Sequence, residues 1–200
     1  MRVLQRLALM ASAAAAVTGL KLPSPGLFAG KATGTECLSE DALARASASK
    51  QKFEKMKMAK DGALAWTEVH EFAADLKAGK YTWDEIDGDD LNLRLKWAGF
   101  FTRKATPGKL MVRLKIPNGV VSADALRYSA DALAKHDDGK GDSCADITTR
   151  MNLQLRGIPL DDATEVMQAL HGLGLTTLQS GMDNLRNVVG SPLAGIDPYV

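Results

Sequence analysis

The chain has 200 residues, of which 46% are hydrophobic and 24% charged, with 25 Lys and Arg against 24 Asp and Glu. Residues 1–35 hold four of the bases and no acid, so the remaining 165 residues hold 21 bases and 24 acids. This slightly negative body excludes a generally basic nucleic-acid-binding domain, and its ordinary globular composition argues against disorder outside the chain ends.

The first 35 residues are typical of a targeting segment. Arg2 and Arg6 precede an apolar, Ala-rich run of 14 residues from Leu7 to Leu20. A transmembrane helix needs about 20 apolar residues, so no membrane span is predicted here. A secretory signal also combines basic residues with a short apolar core, but the lack of acids over the whole segment favours an organelle transit peptide, cleaved between about residues 25 and 40.

Two helices are predicted within a helical N-terminal segment, residues 36–90. The first spans Ser39 to Lys60, with Ser39 as its N-cap, acids in its first turn and lysines near its end. The second spans Trp66 to Lys77, because apolar residues recur there at helical spacing and Gly79 follows.

The sign of the charge changes near residue 90. Residues 61–90 contain nine acids and two bases, whereas residues 91–123 contain seven bases and no acid. The seven bases are Arg94, Lys96, Arg103, Lys104, Lys109, Arg113 and Lys115. Such a tract is commonly a solvated surface, so its meaning depends on the structure that it forms.

A strand is predicted inside this basic tract, because residues 109–117 alternate with a period of two. The core face would carry Leu110, Val112, Leu114 and Ile116, and the opposite face Met111, Arg113 and Lys115. A turn at Pro117-Asn118-Gly119 follows. Ser122 then caps a helix that runs to about Lys135 and is expected to bury Leu126, Ala130 and Leu133.

A second strand is predicted from Asp146 to Arg156, with its strong polar donors on one face. The apolar face would carry Ile147, Thr149, Met151, Leu153 and Leu155, and the polar face Thr148, Arg150, Asn152, Gln154 and Arg156. A helix follows, started by Pro159 and the capping box Asp162-x-x-Glu165 and ended by Gly172 and Gly174. Its inward residues would be Val166, Met167 and Leu170.

This β-α-β-α order predicts an α+β fold in which helices cover the apolar face of a sheet. The other face would gather Arg113, Lys115, Arg150, Asn152, Gln154 and Arg156. Guanidiniums repel one another when they lack counter-charge, and their geometry suits carboxylate or phosphate, so an anionic ligand is one hypothesis. The alternatives are a face open to water or one paired with the acidic segment 61–90. Neither strand contains Phe, Tyr or Trp, which argues against RNA binding through this sheet.

The remaining chemistry-bearing residues predict no catalytic or metal site. Cys37 and Cys144 are the only cysteines, and neither lies in a C-x-x-C pattern or beside a histidine. His70, His136 and His171 lie apart from one another and from any nucleophile signature. The chain also has no Gly-rich phosphate loop.

Residues 91–200 resemble the N-terminal half of the plastid ferredoxin-dependent nitrite reductases, within the sirohaem nitrite and sulfite reductase family. The matching runs are RLKWAGFFTRK, MVRLKIPNGV, CADITTRMNLQLRGI and GLTTLQSGMDNLRNVVGSPLAGIDP. The run M-D-N-x-R-N followed by P-L-A-G is more similar to nitrite reductases than to sulfite reductases, which remain the alternative. The resemblance implies a ferredoxin-like half domain over residues 91–173 and the start of a sirohaem-binding domain over residues 174–200.

The resemblance also implies an activity, which is the six-electron reduction of nitrite to ammonia in the plastid stroma. Reduced ferredoxin would supply the electrons, and sirohaem and a 4Fe-4S cluster would carry them, with no nucleic acid or membrane as partner. The family's four cluster cysteines lie in its C-terminal half and have no counterparts here, so the chain is expected to be a fragment. A non-catalytic module that binds a tetrapyrrole or ferredoxin is the alternative from another class.

Six residues acquire expected roles from the resemblance. Arg113 and Arg186 are similar to two arginines that contact both the macrocycle and the bound anion. Arg150 and Arg156 resemble residues that hold sirohaem carboxylates, with Gln154 and Asn184 as neighbours. Two further expectations concern Met151, which replaces the family's usual Gln and should point to the core, and Arg103 with Lys104, which should help to dock ferredoxin.

Overall fold

A computed structural model describes residues 39–60 and 62–199. The expected transit peptide and Cys37 lie outside these described residues. The chain divides into two units between Ala63 and Leu64. Short 3₁₀ helices cover Gly62–Leu64, Trp83–Glu85, Arg94–Lys96 and Pro117–Gly119.

The described part of the first unit forms two helices, α1 (Glu40–Ala48) and α2 (Lys52–Ala59). The Ser39 hydroxyl accepts a hydrogen bond from the Ala42 N–H at 3.3 Å, which confirms the predicted N-cap. The prediction of one continuous helix to Lys60 is wrong. Ser49 leaves the helical region with ψ 137°, and its hydroxyl accepts from the Gln51 N–H at 3.2 Å, so a local side-chain bond competes with the helix.

The second unit begins with two helices and then builds a sheet covered by two more. Its elements are α3 (Ala65–Lys77), α4 (Gly88–Asn92), β1 (Phe100–Thr102), β2 (Lys109–Arg113), α5 (Ala123–Lys135), β3 (Cys144–Ile147), β4 (Leu153–Pro159) and α6 (Leu160–Gly172). The predicted helix at 66–77 is therefore confirmed, with its start one residue earlier. No helix in the described ranges has the length and apolarity needed to cross a membrane.

The four strands form one antiparallel sheet in the order β1-β2-β4-β3. Helices α5 and α6 pack on the sheet, and α3 packs on α6. The α+β fold is confirmed, but the order β-β-α-β-β-α contains two strands more than predicted. The apolar face of the first predicted strand is also confirmed, because Leu110, Val112 and Leu114 are fully buried and Ile116 is 3% exposed.

The prediction of one strand from Asp146 to Arg156 is wrong at its centre, where residues 148–151 form a tight turn between β3 and β4. The Thr148 N–H donates to the Asn152 carbonyl and the Met151 N–H to the Thr148 carbonyl, both at 2.9 Å. Met151 adopts φ 59°, a left-handed conformation that reverses the chain. The alternation therefore does not continue through the turn, and Ile147 is 85% exposed instead of buried.

Helix α5 begins as predicted, since the Ser122 hydroxyl accepts from the Ala125 N–H at 3.2 Å. Its predicted inward face is wrong at Leu126 and Ala130, whereas Leu133 packs against the core. Leu126 is 45% exposed, Ala130 is exposed and Leu133 only half-buried. The buried residues are instead Ala125, Ser129 and Ala132. Small side chains let the helix approach the sheet closely, and the buried Ser129 hydroxyl donates to the Ala125 carbonyl at 2.7 Å, which removes the cost of burying it.

Helix α6 buries Val166, Met167 and Leu170 as predicted and ends at Gly172. The predicted capping box is wrong, because Pro159 is the N-cap and no side chain caps the helix. Asp162 instead binds the ammonium groups of Lys77 and Lys135, each at 2.9 Å. Asp162 thus links α6 to α3 and to the end of α5.

Candidate anion-binding site on the polar face of the sheet

The side of the sheet opposite α5 and α6, here called the polar face, is organised around Arg113 at the end of β2. Gln154 on β4 is its partner in the strand register. With the Gln154 amide oriented by its hydrogen bonds, the amide oxygen accepts from Arg113 Nε at 3.0 Å and from Nη2 at 3.2 Å. The Phe101 ring of β1 lies under the same guanidinium, with its centroid 4.2 Å from Cζ.

The segment that follows α6 brings Arg186 to Arg113. Arg113 Nη1 and Arg186 Nη1 both point at the Ser180 carbonyl oxygen, at 3.4 and 3.5 Å. The segment is held in place where the Gln179 N–H donates to the Trp97 carbonyl at 2.6 Å. Asn184 serves the segment itself, because its Nδ2 donates to the Gly181 carbonyl at 2.8 Å.

Arg150 reaches the site from the β3–β4 turn and not from a strand as predicted. The buried Asn187 side chain fixes this turn, since its Nδ2 donates to the carbonyls of Ile116 at 2.7 Å and Arg150 at 2.8 Å. Sequence analysis missed Asn187, although it directly follows Arg186 in the M-D-N-x-R-N run. Met151 lies on the helix side, where it lines a pocket of about 300 Å³ with Leu126 and Leu153.

The polar face concentrates positive charge. Burial, the Arg186 guanidinium and the Arg150 guanidinium together lower the pKa of Arg113 below its usual value. Burial and Arg186 likewise lower the pKa of Lys115. In the part of the chain that the structure describes, no carboxylate forms an ion pair with Arg113, Lys115, Arg150 or Arg186.

Arg156 differs from the other cations of this face, because its Nε donates to the Asp146 carboxylate on β3. The structure therefore brings Arg113, Arg150, Arg186 and Gln154 together, and leaves Arg156 with a carboxylate of its own. The hypothesis that the acidic segment 61–90 neutralises the polar face is wrong for the described residues. Its acids Glu68 and Asp90 bind Arg94 instead.

This arrangement is suited to binding a multiply charged anion. Arg113 and Lys115 are partly buried, whereas Arg150 and Arg186 are exposed. Cations that repel one another in this way gain free energy when a carboxylate or phosphate supplies the missing counter-charge. Guanidiniums provide paired donors for such groups, and Gln154 holds one of them in a defined orientation. The donors come from β2, the β3–β4 turn and the segment after α6, so they would contact a broad ligand at several points.

Comparisons with known proteins place this site in a wider context. Residues 103–173 match the model of the nitrite/sulfite reductase ferredoxin-like half domain. The chain is 44% identical over 158 residues to a ferredoxin–nitrite reductase of Synechococcus elongatus, an alignment that covers 78% of this chain and 29% of that protein. It is 54% identical over 112 residues to a chloroplastic ferredoxin–nitrite reductase of Spinacia oleracea, covering 56% of this chain and 18% of that protein.

A solved structure agrees with these sequence matches. The NirA protein of Mycobacterium tuberculosis superposes with a TM-score of 0.57 at 28% identity, over 71% of this chain and 27% of that one. The chain thus spans less than a third of the length of the relatives described here. The matches confirm the resemblance that the sequence motifs carry.

Proposed function

Since the chain belongs to the nitrite and sulfite reductase family, we propose that it is the part of a ferredoxin-dependent nitrite reductase that binds sirohaem. The activity of the whole protein would be the six-electron reduction of nitrite to ammonia in nitrate assimilation. One observation carries the proposal: Arg113, Arg150 and Arg186 converge on the polar face, and none has a carboxylate partner among the described residues.

The residues of the polar face fit a carboxylate-rich tetrapyrrole. When bound, sirohaem would supply the iron at which nitrite is reduced. Arg150 and Arg156 would hold its carboxylates, with Gln154 and Asn184 beside them. Arg156 would share its charge between the ligand and Asp146. Arg113 and Arg186 would stabilise negative charge on the bound anion and provide polar hydrogens near it.

A four-iron cluster does not fit the residues of this chain. Such a cluster is bound by four cysteine thiolates, and the chain has only Cys37 and Cys144. The described residues also contain no group of three His, Cys, Asp or Glu side chains suited to a metal ion. The cluster of the proposed enzyme would therefore take its ligands from other parts of a longer polypeptide.

The proposed electron donor and compartment follow from the relatives and from the surface. Relatives named as ferredoxin–nitrite reductases support reduced ferredoxin as the donor. Arg103 and Lys104 lie in the loop between β1 and β2, where Lys104 is exposed. The acid-free leader and the chloroplastic relatives support a plastid location, while a cyanobacterial relative, at 44% identity, is also similar in sequence.

The site can be tested in a full-length reductase that contains this chain. Arg150→Ala or Arg156→Ala should reduce sirohaem absorbance per protein, because each change removes a cation that faces carboxylates. Arg113→Ala or Arg186→Ala should retain the absorbance and lower nitrite affinity or turnover, by about 1.5–3 kcal/mol for a charge-assisted hydrogen bond. Arg127→Ala, on the exposed side of α5, is the matched control. Full occupancy and unchanged kinetics in all four variants would refute the proposal.

A further inference from the structure

Phe101 occupies a defined place beneath the polar face. It pairs with Met111 in the register of β1 and β2, which makes Arg113 its diagonal neighbour on the same face of the sheet. The ring centroid lies 4.2 Å from the centre of the Arg113 guanidinium. A cation at this distance from the face of an aromatic ring is attracted by the ring quadrupole.

The Cζ end of the ring lies against the segment that carries Arg186. A Cβ atom added to Gly181 would lie 2.5 Å from Phe101 Cζ and 2.6 Å from the Lys96 carbonyl oxygen. Such distances are far below van der Waals contact, so the segment can approach the ring only because residue 181 is glycine. Phe101 therefore lies close to both the Gly181 backbone and the guanidinium of Arg113.

Arg113 needs such support because of its neighbours. Burial first, and then the charges of Arg186 and Arg150, lower the pKa of Arg113. The groups that oppose this repulsion are the Phe101 ring, the Gln154 amide oxygen and the Ser180 carbonyl oxygen. The ring is the one that can be changed without removing a hydrogen-bonding group from the site.

We infer that Phe101 is a positioning residue, which holds the Arg113 guanidinium in its anion-binding orientation against the repulsion of Arg150 and Arg186. The inference rests on the proposed function, because it assumes that Arg113 contacts the tetrapyrrole as well as the bound anion. A modest loss of tetrapyrrole affinity is then visible in a titration, while tightly bound sirohaem is still retained. A guanidinium oriented beforehand loses less conformational freedom on binding. The loss of the ring should therefore lower the affinity for the anion and leave the fold intact.

Uroporphyrin I, a tetrapyrrole with eight carboxylates, is a suitable probe, and its binding to a full-length reductase that contains this chain, prepared without sirohaem, can be followed by absorbance titration. Phe101→Leu should weaken binding by about threefold to thirtyfold, the range of a cation–π contact. Phe101→Tyr keeps an aromatic ring and should restore most of the affinity. Phe100→Leu is the matched control, since Phe100 is adjacent in β1 but fully buried in the core. Phe101→Met provides a second ring-free variant if Phe101→Leu folds poorly, as judged by circular dichroism.

A double-mutant cycle separates positioning from a general structural effect. If Phe101 acts through Arg113, Phe101→Leu should cause no further loss when Arg113 is already Ala. An equal loss in that background, or an equal loss with Tyr and Leu, would overturn the inference. Weaker binding by Arg113→Ala with unchanged binding by Phe101→Leu would overturn it and leave the proposed function standing. Failure of the unaltered reductase to bind uroporphyrin I would refute the proposed function itself.

Discussion

Arg94 and Arg113 are both shielded from water, but the groups that contact their guanidiniums differ in charge. Arg94 is 2% exposed, and its Nη1 lies 2.5 Å from Glu68 and 2.6 Å from Asp90, which ties the start of the sheet region to α3 and α4. Arg113 is half-buried on the polar face beside two other guanidiniums. Its supports are an aromatic ring and two neutral oxygens, with no ion-paired carboxylate among residues 39–60 and 62–199.

The difference between these two regions indicates whether each arginine serves the stability of the fold or the binding of a ligand. A buried cation costs several kcal/mol in lost hydration, and nearby carboxylates offset that cost within the fold. The region around Arg94 has its counter-charges built in, so its electrostatics are complete without a ligand. The polar face has donors in excess of acceptors, which is the arrangement expected where the counter-charge arrives with a ligand.

The comparison predicts that removing each arginine changes the stability of the fold by very different amounts. Arg94→Ala should lower the free energy of unfolding by about 3–5 kcal/mol, because it breaks an ion-pair network in which Arg94 itself is almost fully buried. Arg113→Ala should change it by less than about 1 kcal/mol, because the lost contacts are offset by the relief of repulsion. Urea unfolding of both variants, with Arg127→Ala as a surface control, measures the difference. A large destabilisation by Arg113→Ala would show that the polar face is built for stability.

The backbone behind the polar face provides the next test. A Cβ atom on Gly99 would lie 2.4 Å from the Thr177 carbonyl oxygen and 2.7 Å from Ser180 Oγ, and Gly99 has φ +90°. Gly99→Ala should therefore destabilise the chain by about 2–4 kcal/mol through both strain and overpacking.

Gly108 is the matched control, since it has φ +80° but nothing within 4 Å of an added Cβ. Gly108→Ala should cost about 1 kcal/mol, the backbone part alone. Thermal or urea unfolding compares the two. Equal losses at both positions would mean that the segment from Thr177 to Ser180 is not tightly packed against Gly99. It would then be too loosely held to define the position of Arg186.

How far the sequence predicts this site depends on the local backbone. Arg113 lies in the part of β2 that follows the register shift between Leu110 and Met111, and there a period of two was enough to place it on the polar face. Arg150 could not be placed in this way, because the sequence of residues 148–151 contains no Gly or Pro and does not reveal the turn that interrupts the alternation. The roles of Phe101 and Asn187 depend on contacts between distant segments, which periodicity does not encode.

The fold shows the same limit. The inward face of α6 follows from the helical spacing of large apolar residues, and it was predicted correctly. The face of α5 was not, because Ala125, Ser129 and Ala132 are small, and the choice between them and Leu126 depends on how closely the sheet approaches. The short edge strand β1 was missed, since three residues are too few to show a period.

A third group of cations, in the β1–β2 loop, extends the comparison to charges that remain in water. If Arg103 and Lys104 steer an acidic ferredoxin, replacing both by Glu should reduce ferredoxin-dependent turnover of a full-length reductase about tenfold at low salt. The effect should shrink as salt shortens the screening length to about 8 Å. Turnover with a small artificial electron donor is the control and should be largely retained. Equal losses with both donors would assign these residues to the fold or to the ligand site.

The smallest expected effect concerns an ion pair that is only partly shielded from water. The Lys135 ammonium and then the Lys77 ammonium hold the pKa of Asp162 below its usual value. A depressed carboxyl pKa contributes stability that is fully present above the unfolded-state pKa of about 3.9 and is lost as the pH falls through the folded-state pKa. Both lysines are solvent-exposed, with 61% of the Lys135 side chain and 40% of the Lys77 side chain accessible. Asp162→Asn should therefore cost only about 0.5–1 kcal/mol at pH 7.

That difference from the unaltered chain should narrow as the pH is lowered below about 4, where the Asp162 carboxyl begins to bind a proton in the unfolded state and then, at lower pH, in the folded state. Asp124→Asn is the control, because its partner Arg127 is 73% exposed and the pair should contribute almost nothing at either pH. Urea unfolding at pH 7 and at pH 3 measures both variants. A constant difference across this range would mean that Asp162 stabilises the α3–α6 contact by its shape and hydrogen bonds and not by its charge. Arg94, with Glu68 and Asp90, would then be the remaining evidence that the charges among the helices are neutralised within the fold while those of the polar face are not.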